Sequence, residues 1–261
     1  MTETNYSIIT EIPGQKADKE QLERALQRYK FAKKFTAGKE ILEVACGSGI
    51  GLKYLAENTK SVMGIDIDDK NFNIAKKNIE SGKYSDKINV TKMDAHELEF
   101  ENNQFDVILL FEAIYYLKEP EKFINEAYRI LKKEGTLIIG SVNKDWESFH
   151  PSPLTYHYFS IPDYQALLEK DFNNLDFFGG FYTNKDTRLF LFIKNLANRF
   201  NLIPGSLKTR ALLKQIFMGK LVELPESIHD NMAKYFEPEE IKEIKANKDY
   251  KIIYVIAKKN N

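Results

Sequence analysis

This chain of 261 residues is short of the features that usually place a protein quickly. It has one cysteine, Cys46, so no internal disulfide can form; that suits a reducing compartment, and a cytoplasmic protein is the expectation. It has no net charge, with 38 basic and 38 acidic side chains, which argues against wholesale nucleic-acid binding. No stretch approaches the roughly 20 apolar residues of a membrane span, and the first residues lack the basic-then-apolar order of a signal peptide. The four histidines lack metal-site spacing, so no metal site is expected, and metal dependence is left open only through carboxylates such as Asp145. There is no internal repeat and no low-complexity tract. What remains is ordinary globular composition, 43% hydrophobic, enough for one large domain or a core with an elaborated cap.

Against that plain background, residues 41–51 stand out. Ile41, Leu42 and Val44 form an apolar run around one acid, Glu43, which breaks into a turn holding Gly47, Gly49 and Gly51. A buried parallel strand followed by a turn of little bulk lets a ligand lie close to the backbone. The helix expected next would offer free N–H groups and a partial positive charge. A second acid, Asp66, ends the apolar run Val62–Ile65, in the place that binds ribose hydroxyls beyond a Gly-rich turn. A nucleoside-type ligand follows. A dinucleotide fingerprint would need a third glycine where Leu52 stands.

The segment Glu43-x-Ala45-x-Gly47-x-Gly49 with Asp66 resembles motifs I and II of the class I S-adenosylmethionine (SAM) methyltransferases, except that Ala45 replaces the usual glycine. Further segments are similar to later parts of the family pattern: Lys92–Ala95, Phe105–Glu112, Glu119–Lys132 and Lys133–Gly140. Gln27–Ala32 with Gly38-Lys39 resembles the N-terminal helix of methyltransferases found with bacterial surface-carbohydrate and secondary-metabolite pathways. The resemblance covers about residues 20–183 and the last strand. It implies S-adenosyl-L-methionine as cofactor. Glu43, Ala45, Gly47 and Gly49 would surround its methionine part, Asp66 would hold the ribose, and Ile67 and Ala95 would flank the adenine with Asp94 at its amine. Arg28 and Tyr29 would reach the carboxylate, and Phe111, at the end of the fourth strand, would line the same pocket.

Strands expected at 39–45, 61–66, 87–92, 105–111 and 134–141 alternate with helices near 18–35, 49–58, 69–80 and 120–132. With strands at 176–178 and 251–257, this gives an α/β, Rossmann-like, seven-stranded, mostly parallel sheet with an antiparallel last strand and helices on both faces. Residues 1–36 would form an N-terminal helical region, 37–183 the core, 184–250 an insert and 251–261 the last strand and tail. The insert is too long for a structureless loop and reads as a helical cap or lid. From Thr187 to Val222 it has seven basic residues and no acid, arranged as two basic amphipathic helices. They would present either a solvated face or a patch for an anionic acceptor or a peripheral membrane surface.

Acceptor chemistry is less legible. Where related enzymes often have Glu-His after the fourth strand, this chain has Tyr115-Tyr116; Tyr116, a poor base near neutral pH, would wall the pocket or hydrogen-bond the acceptor. Residues 146–182 hold 11 aromatics, either a core over the sheet or an acceptor wall. His150 and His157 are the candidate bases within this region. His96, after the adenine segment, and His229, in a segment read as a polar helix, are weaker candidates. These features favour methyl transfer to a hydroxyl of a sugar, nucleotide-linked sugar or natural-product intermediate. The competing readings are an N- or C-methyltransferase on an amine or quinone, a catalytically silent partner subunit, and an NAD-dependent oxidoreductase. Homo-oligomerisation is left open.

Overall fold

The computed structural model describes residues 10–80, 83–152, 155–183 and 221–260. In chain order its elements are β1 (Lys16–Ala17), α1 (Lys19–Ala32), β2 (Glu40–Val44), α2 (Leu52–Ala56), β3 (Ser61–Asp66), α3 (Asp69–Glu80), β4 (Ile88–Lys92) and β5 (Phe105–Phe111). Then follow α4 (Pro120–Ile130), β6 (Leu131–Val142), α5 (Ile161–Leu168), β7 (Asn174–Tyr182), β8 (Val222–Glu223), β9 (Glu239–Ile241) and β10 (Tyr250–Lys258).

Local chemistry sets several of these boundaries. A capping box starts α1: the Asp18 side chain accepts from the Gln21 N–H and the Gln21 side chain accepts from the Asp18 N–H. Ser160 and Asp163 do the same for α5. Pro120 starts α4, where a missing N–H costs nothing. The helix expected over 49–58 is shorter, because residues 47–51 stay in the turn.

The main sheet has strand order β4-β3-β2-β5-β6-β10-β7-β9. Pairings among β4, β3, β2, β5 and β6 are parallel, while β10 runs antiparallel to both β6 and β7. The expected fold class is therefore present, with one addition. Short β9, from the segment before β10, pairs antiparallel with β7 and makes an eighth strand. Helices cover both faces, so the central strands are apolar on both sides. Ile108 and Leu110 of β5 join the core beneath α4 and α5, whereas Val107, Leu109 and Phe111 join the core beneath α1 and α2.

The helical cap needs correction in its described part. Residues 187–220 of the proposed basic helices lie outside the described residues. Residues 221–249 form no helix; they contribute β8, β9 and turns, and His229 lies in this non-helical stretch. No described helix is long and apolar enough to cross a membrane.

Chain order reverses direction across the sheet between β2 and β5, so the connections leaving their carboxyl ends run to opposite sides. Such a switch point is where open α/β sheets bind ligands.

Candidate functional site

At that switch point lies a cavity of about 360 Å³, within the size range of small-molecule sites. Its walls come from the ends of β2, β3, β4 and β5, from one face of α1, and from Thr10 and Glu11 of the N-terminal segment.

Glu43, the acid inside β2, is 2% exposed. The Tyr29 hydroxyl donates to its Oε1 at 2.6 Å, while Oε2 is buried without a protein partner. Burial pushes the carboxyl up to about 7, against the pull of the Tyr29 hydrogen bond and the Arg28 charge. Beside it, Ala45 has φ +55, the left-handed conformation that favours glycine, so a methyl group is carried at modest strain where the family pattern has none.

The turn after β2 separates its glycines by role. Gly47 (φ +58) faces the cavity, and a Cβ there would come within 2.9 Å of the Thr10 methyl group. Gly49 does not line the cavity; it packs against α3, a Cβ meeting that of Ala75 at 3.1 Å. Gly51 lets α2 approach α1, since a Cβ there would fall 1.9 Å from the Tyr29 ring. The close-packing glycine is thus present one residue before the dinucleotide position, and it seats the tyrosine that holds Glu43.

Asp66 braces the turn. Its Oδ2 accepts from the Gly47 N–H at 2.8 Å and its Oδ1 from the Asp68 N–H at 2.9 Å, with Asn71 Nδ2 at 3.3 Å. Burial raises its pKa, offset in part by these bonds. Ile67, Asp94 and Ala95 line the adjoining wall. Asp94 Oδ1 accepts from the His96 N–H at 2.8 Å and sits 2.7 Å from His96 Nδ1, so it both closes its turn and orients an imidazole. Arg28 pairs with the Glu11 carboxylate and stacks over Tyr29. Burial opposes the Arg28 charge, but Glu11, Tyr29 and Glu112 more than compensate, and its pKa is raised.

Ten of the eleven expected cofactor residues therefore meet in one cavity, Gly49 being the exception. The catalytic expectations fare differently. Tyr116 lines the cavity, but His150 and His157 are exposed and do not. Nor does any described residue of the aromatic-rich 146–182 region. Its rings support the wall from behind: Tyr158 stacks on Tyr115 with centroids 5.1 Å apart, and the Tyr156 N–H donates to the Tyr115 carbonyl at 2.9 Å.

Thr10, Glu11 and Arg24 lie outside the site residues expected from the sequence. Thr10 and Glu11 carry no motif. Arg24 lines the cavity from one turn before Arg28. Glu112 follows β5 with φ +50 and accepts from the Tyr115 hydroxyl at 2.9 Å; burial raises its pKa against the pull of Arg24 and Arg28. As an acid directly following the buried β5, Glu112 reads in the sequence either as a residue at the mouth of the site or as a paired structural carboxylate, and it is both: it lines the cavity and is paired with Tyr115. Among the described residues no cluster of side chains has the makings of a metal site.

SAM fits these groups. The unpartnered Glu43 Oε2 suits a cationic amine, Arg28 a carboxylate, Asp66 a pair of hydroxyls and Asp94 an exocyclic amine, and Gly47 leaves room beside them.

Comparison with known proteins agrees. Residues 42–139 match the methyltransferase domain family. Over 114 residues the chain is 32% identical to a ubiquinone biosynthesis O-methyltransferase of Pelagibacter ubique, covering 42% of this chain and 45% of that protein. It is 30% identical over 115 residues to one of Nitrosospira multiformis, covering 43% and 47%. The chain thus spans about half the length of the curated relatives it matches. A possible histamine N-methyltransferase of Thermotoga maritima shares the fold at TM-score 0.58 and 18% identity, covering 92% of both chains. A phosphoethanolamine N-methyltransferase of Haemonchus contortus, solved with SAM, shares it at TM-score 0.57 and 17% identity over 90% of this chain and 52% of that one.

Proposed function

We propose that this chain, which carries a methyltransferase domain of the class I SAM-dependent fold, methylates a hydroxyl group of a small-molecule acceptor. One observation carries the reading. Glu43 with a bare Oε2, the Gly47 turn, Asp66, Asp94 and Arg28 converge on a single cavity within the matched domain and its N-terminal helix.

SAM, when bound, supplies an electrophilic methyl group on its sulfonium. The protein's part is alignment and proton handling. Glu43, held by Tyr29, would fix the amine of SAM, Arg28 would receive its carboxylate, and Asp66 and Asp94 would hold its ribose and adenine. On the acceptor side, Tyr115, Tyr116 and Leu117 wall the cavity and exclude water. Glu112, with its carboxyl raised by burial, takes the acceptor's hydroxyl proton onto its side-chain oxygen, aided by the Tyr115 hydroxyl. Glu112 thereby takes the role of base expected of His150 and His157.

The relatives' names and the tyrosine wall favour a flat phenolic acceptor. The sugar, nucleotide-linked sugar and anionic acceptors expected from the sequence belong in the same screen. Calorimetry with SAM, S-adenosylhomocysteine and NAD tests the cofactor assignment; saturable NAD binding without SAM binding refutes it. Methyl transfer is then scored on catechols, sugars, nucleotide sugars and amines, and transfer to amines alone overturns the hydroxyl reading.

A further inference from the structure

The N-terminal segment crosses the cavity as a strap. Asn71 Nδ2 donates to the Thr10 hydroxyl at 2.9 Å, and the Ser48 hydroxyl donates to the Glu11 carbonyl at 2.6 Å. Beyond the cavity the Gly14 N–H donates to the Leu224 carbonyl at 2.9 Å, and the Leu224 N–H donates back to Gln15 at 2.8 Å, beside the β1–β8 pairing. These bonds fasten the strap at both ends, and the Glu11 side chain between them adds a charged tie to the cavity wall.

That side chain turns to the cavity and engages Arg28 with both oxygens: Nη2 donates to Oε2, and Nη1 to Oε1 at 3.4 Å. The Arg28 side chain is 11% exposed, and its Nε is buried without a partner. A guanidinium presents a planar fork that matches a carboxylate two bonds at a time, and one fork holds one such partner well. The other cavity guanidinium, Arg24, is engaged by Glu20 at 2.6 Å. Glu11 therefore occupies the very position that the cofactor reading reserves for a ligand carboxylate.

We propose that Glu11 is a built-in stand-in for the ligand's carboxylate. A carboxylate-bearing adenosyl ligand displaces it from Arg28 and, by removing that tie, loosens the strap, whereas a ligand without the carboxylate leaves the tie in place. The inference rests on the cofactor reading above and adds to it a residue that sets ligand specificity. Because the strap is bonded to Leu224, and the Ile228 N–H donates to the Ile50 carbonyl at 3.0 Å, its loosening is passed to the segment beyond residue 221. Ligand affinity is then reduced by the fraction of molecules in which Arg28 is taken.

The test compares SAM with decarboxylated SAM, which keeps the sulfonium, amine and nucleoside. Calorimetry on the wild-type chain and Glu11→Gln should show SAM binding tightened about tenfold or more by the substitution, with decarboxylated SAM changed less than about twofold. Unchanged or weakened SAM binding in Glu11→Gln, or an equal change for both ligands, overturns the proposal while the cofactor reading stands. Failure of wild-type and variant to bind either ligand overturns both. Should Glu11→Gln fold poorly, amide exchange on the wild-type chain decides instead. SAM should speed exchange at Gly14 and Leu224 and decarboxylated SAM should not; protection of these amides by SAM refutes the stand-in.

Discussion

Replacing Glu43 by Gln should stabilise the ligand-free protein, and should do so only where the glutamate is ionised. Glutamine keeps the shape and the acceptor oxygen for the Tyr29 hydroxyl, so the change isolates the charge. Burial holds the Glu43 carboxyl at about 7, against 4.5 for an ordinary glutamate. The folded state therefore binds the extra proton between these values. Its contribution to stability is complete below about pH 4.5 and is lost as pH rises through about 7. At about 1.4 kcal/mol per pH unit, that gap corresponds to about 3 kcal/mol. Urea unfolding of both proteins from pH 5 to 8.5 measures it. The stability difference, Glu43→Gln minus wild type, should climb by about 2–3 kcal/mol across that range. SAM affinity should move the other way: the variant binds more weakly, and the proton that wild type releases on binding near neutral pH disappears from calorimetry in buffers of different ionisation enthalpy. A stability difference that stays level with pH would refute the argument that Glu43 is held, uncompensated, for a cationic ligand group.

Other substitutions probe separate parts of the site. Asp66→Ala should weaken S-adenosylhomocysteine binding by about 1.5–3 kcal/mol, measured by calorimetry, because charged hydrogen bonds are lost. Gly51→Ala should lower the melting temperature by forcing the buried Tyr29 ring from its seat, at a cost of about 1–3 kcal/mol, and should weaken cofactor binding through Glu43 as well. With an acceptor in hand, Glu112→Gln should reduce turnover by about 10²–10⁴-fold with cofactor affinity nearly unchanged. His150→Ala and His157→Ala should leave turnover near wild type, because neither side chain reaches the cavity.

The contrast between those last substitutions reflects what a sequence can carry. Glu43, Gly47 and Asp66 were legible because a strand, its turn and the next strand lie close in the chain, and the parallel register brings their ends together. Ala45 was noticed as a departure, and its positive φ explains why glycine is the usual choice. Glu11 and Thr10 had no such signal; they reach the site only because the chain folds back across Gly47 and Ser48. The histidines were chosen for their chemistry from an aromatic-rich stretch, but that stretch packs behind Tyr115 and turns both imidazoles outward. Short β9 was equally hidden, since Glu239–Ile241 has neither the length nor the alternation of a strand and is defined only by its partner β7.

The placement of β10 between β6 and β7 bears on how the protein can be made. Among the described strands β7 pairs with β10 and β9, both later in the chain, so neither of these partners exists when it is first synthesised. Until Tyr250–Lys258 has been made, β6 also keeps one edge unpaired. Two apolar edges therefore wait in the nascent chain, the condition under which strands pair with the wrong neighbour or with another molecule. Shortening β10 would not trim a margin of the sheet. It would take out an interior strand, detach β7 and β9 from β5 and β6, and leave the half that forms the cavity standing with a bare edge.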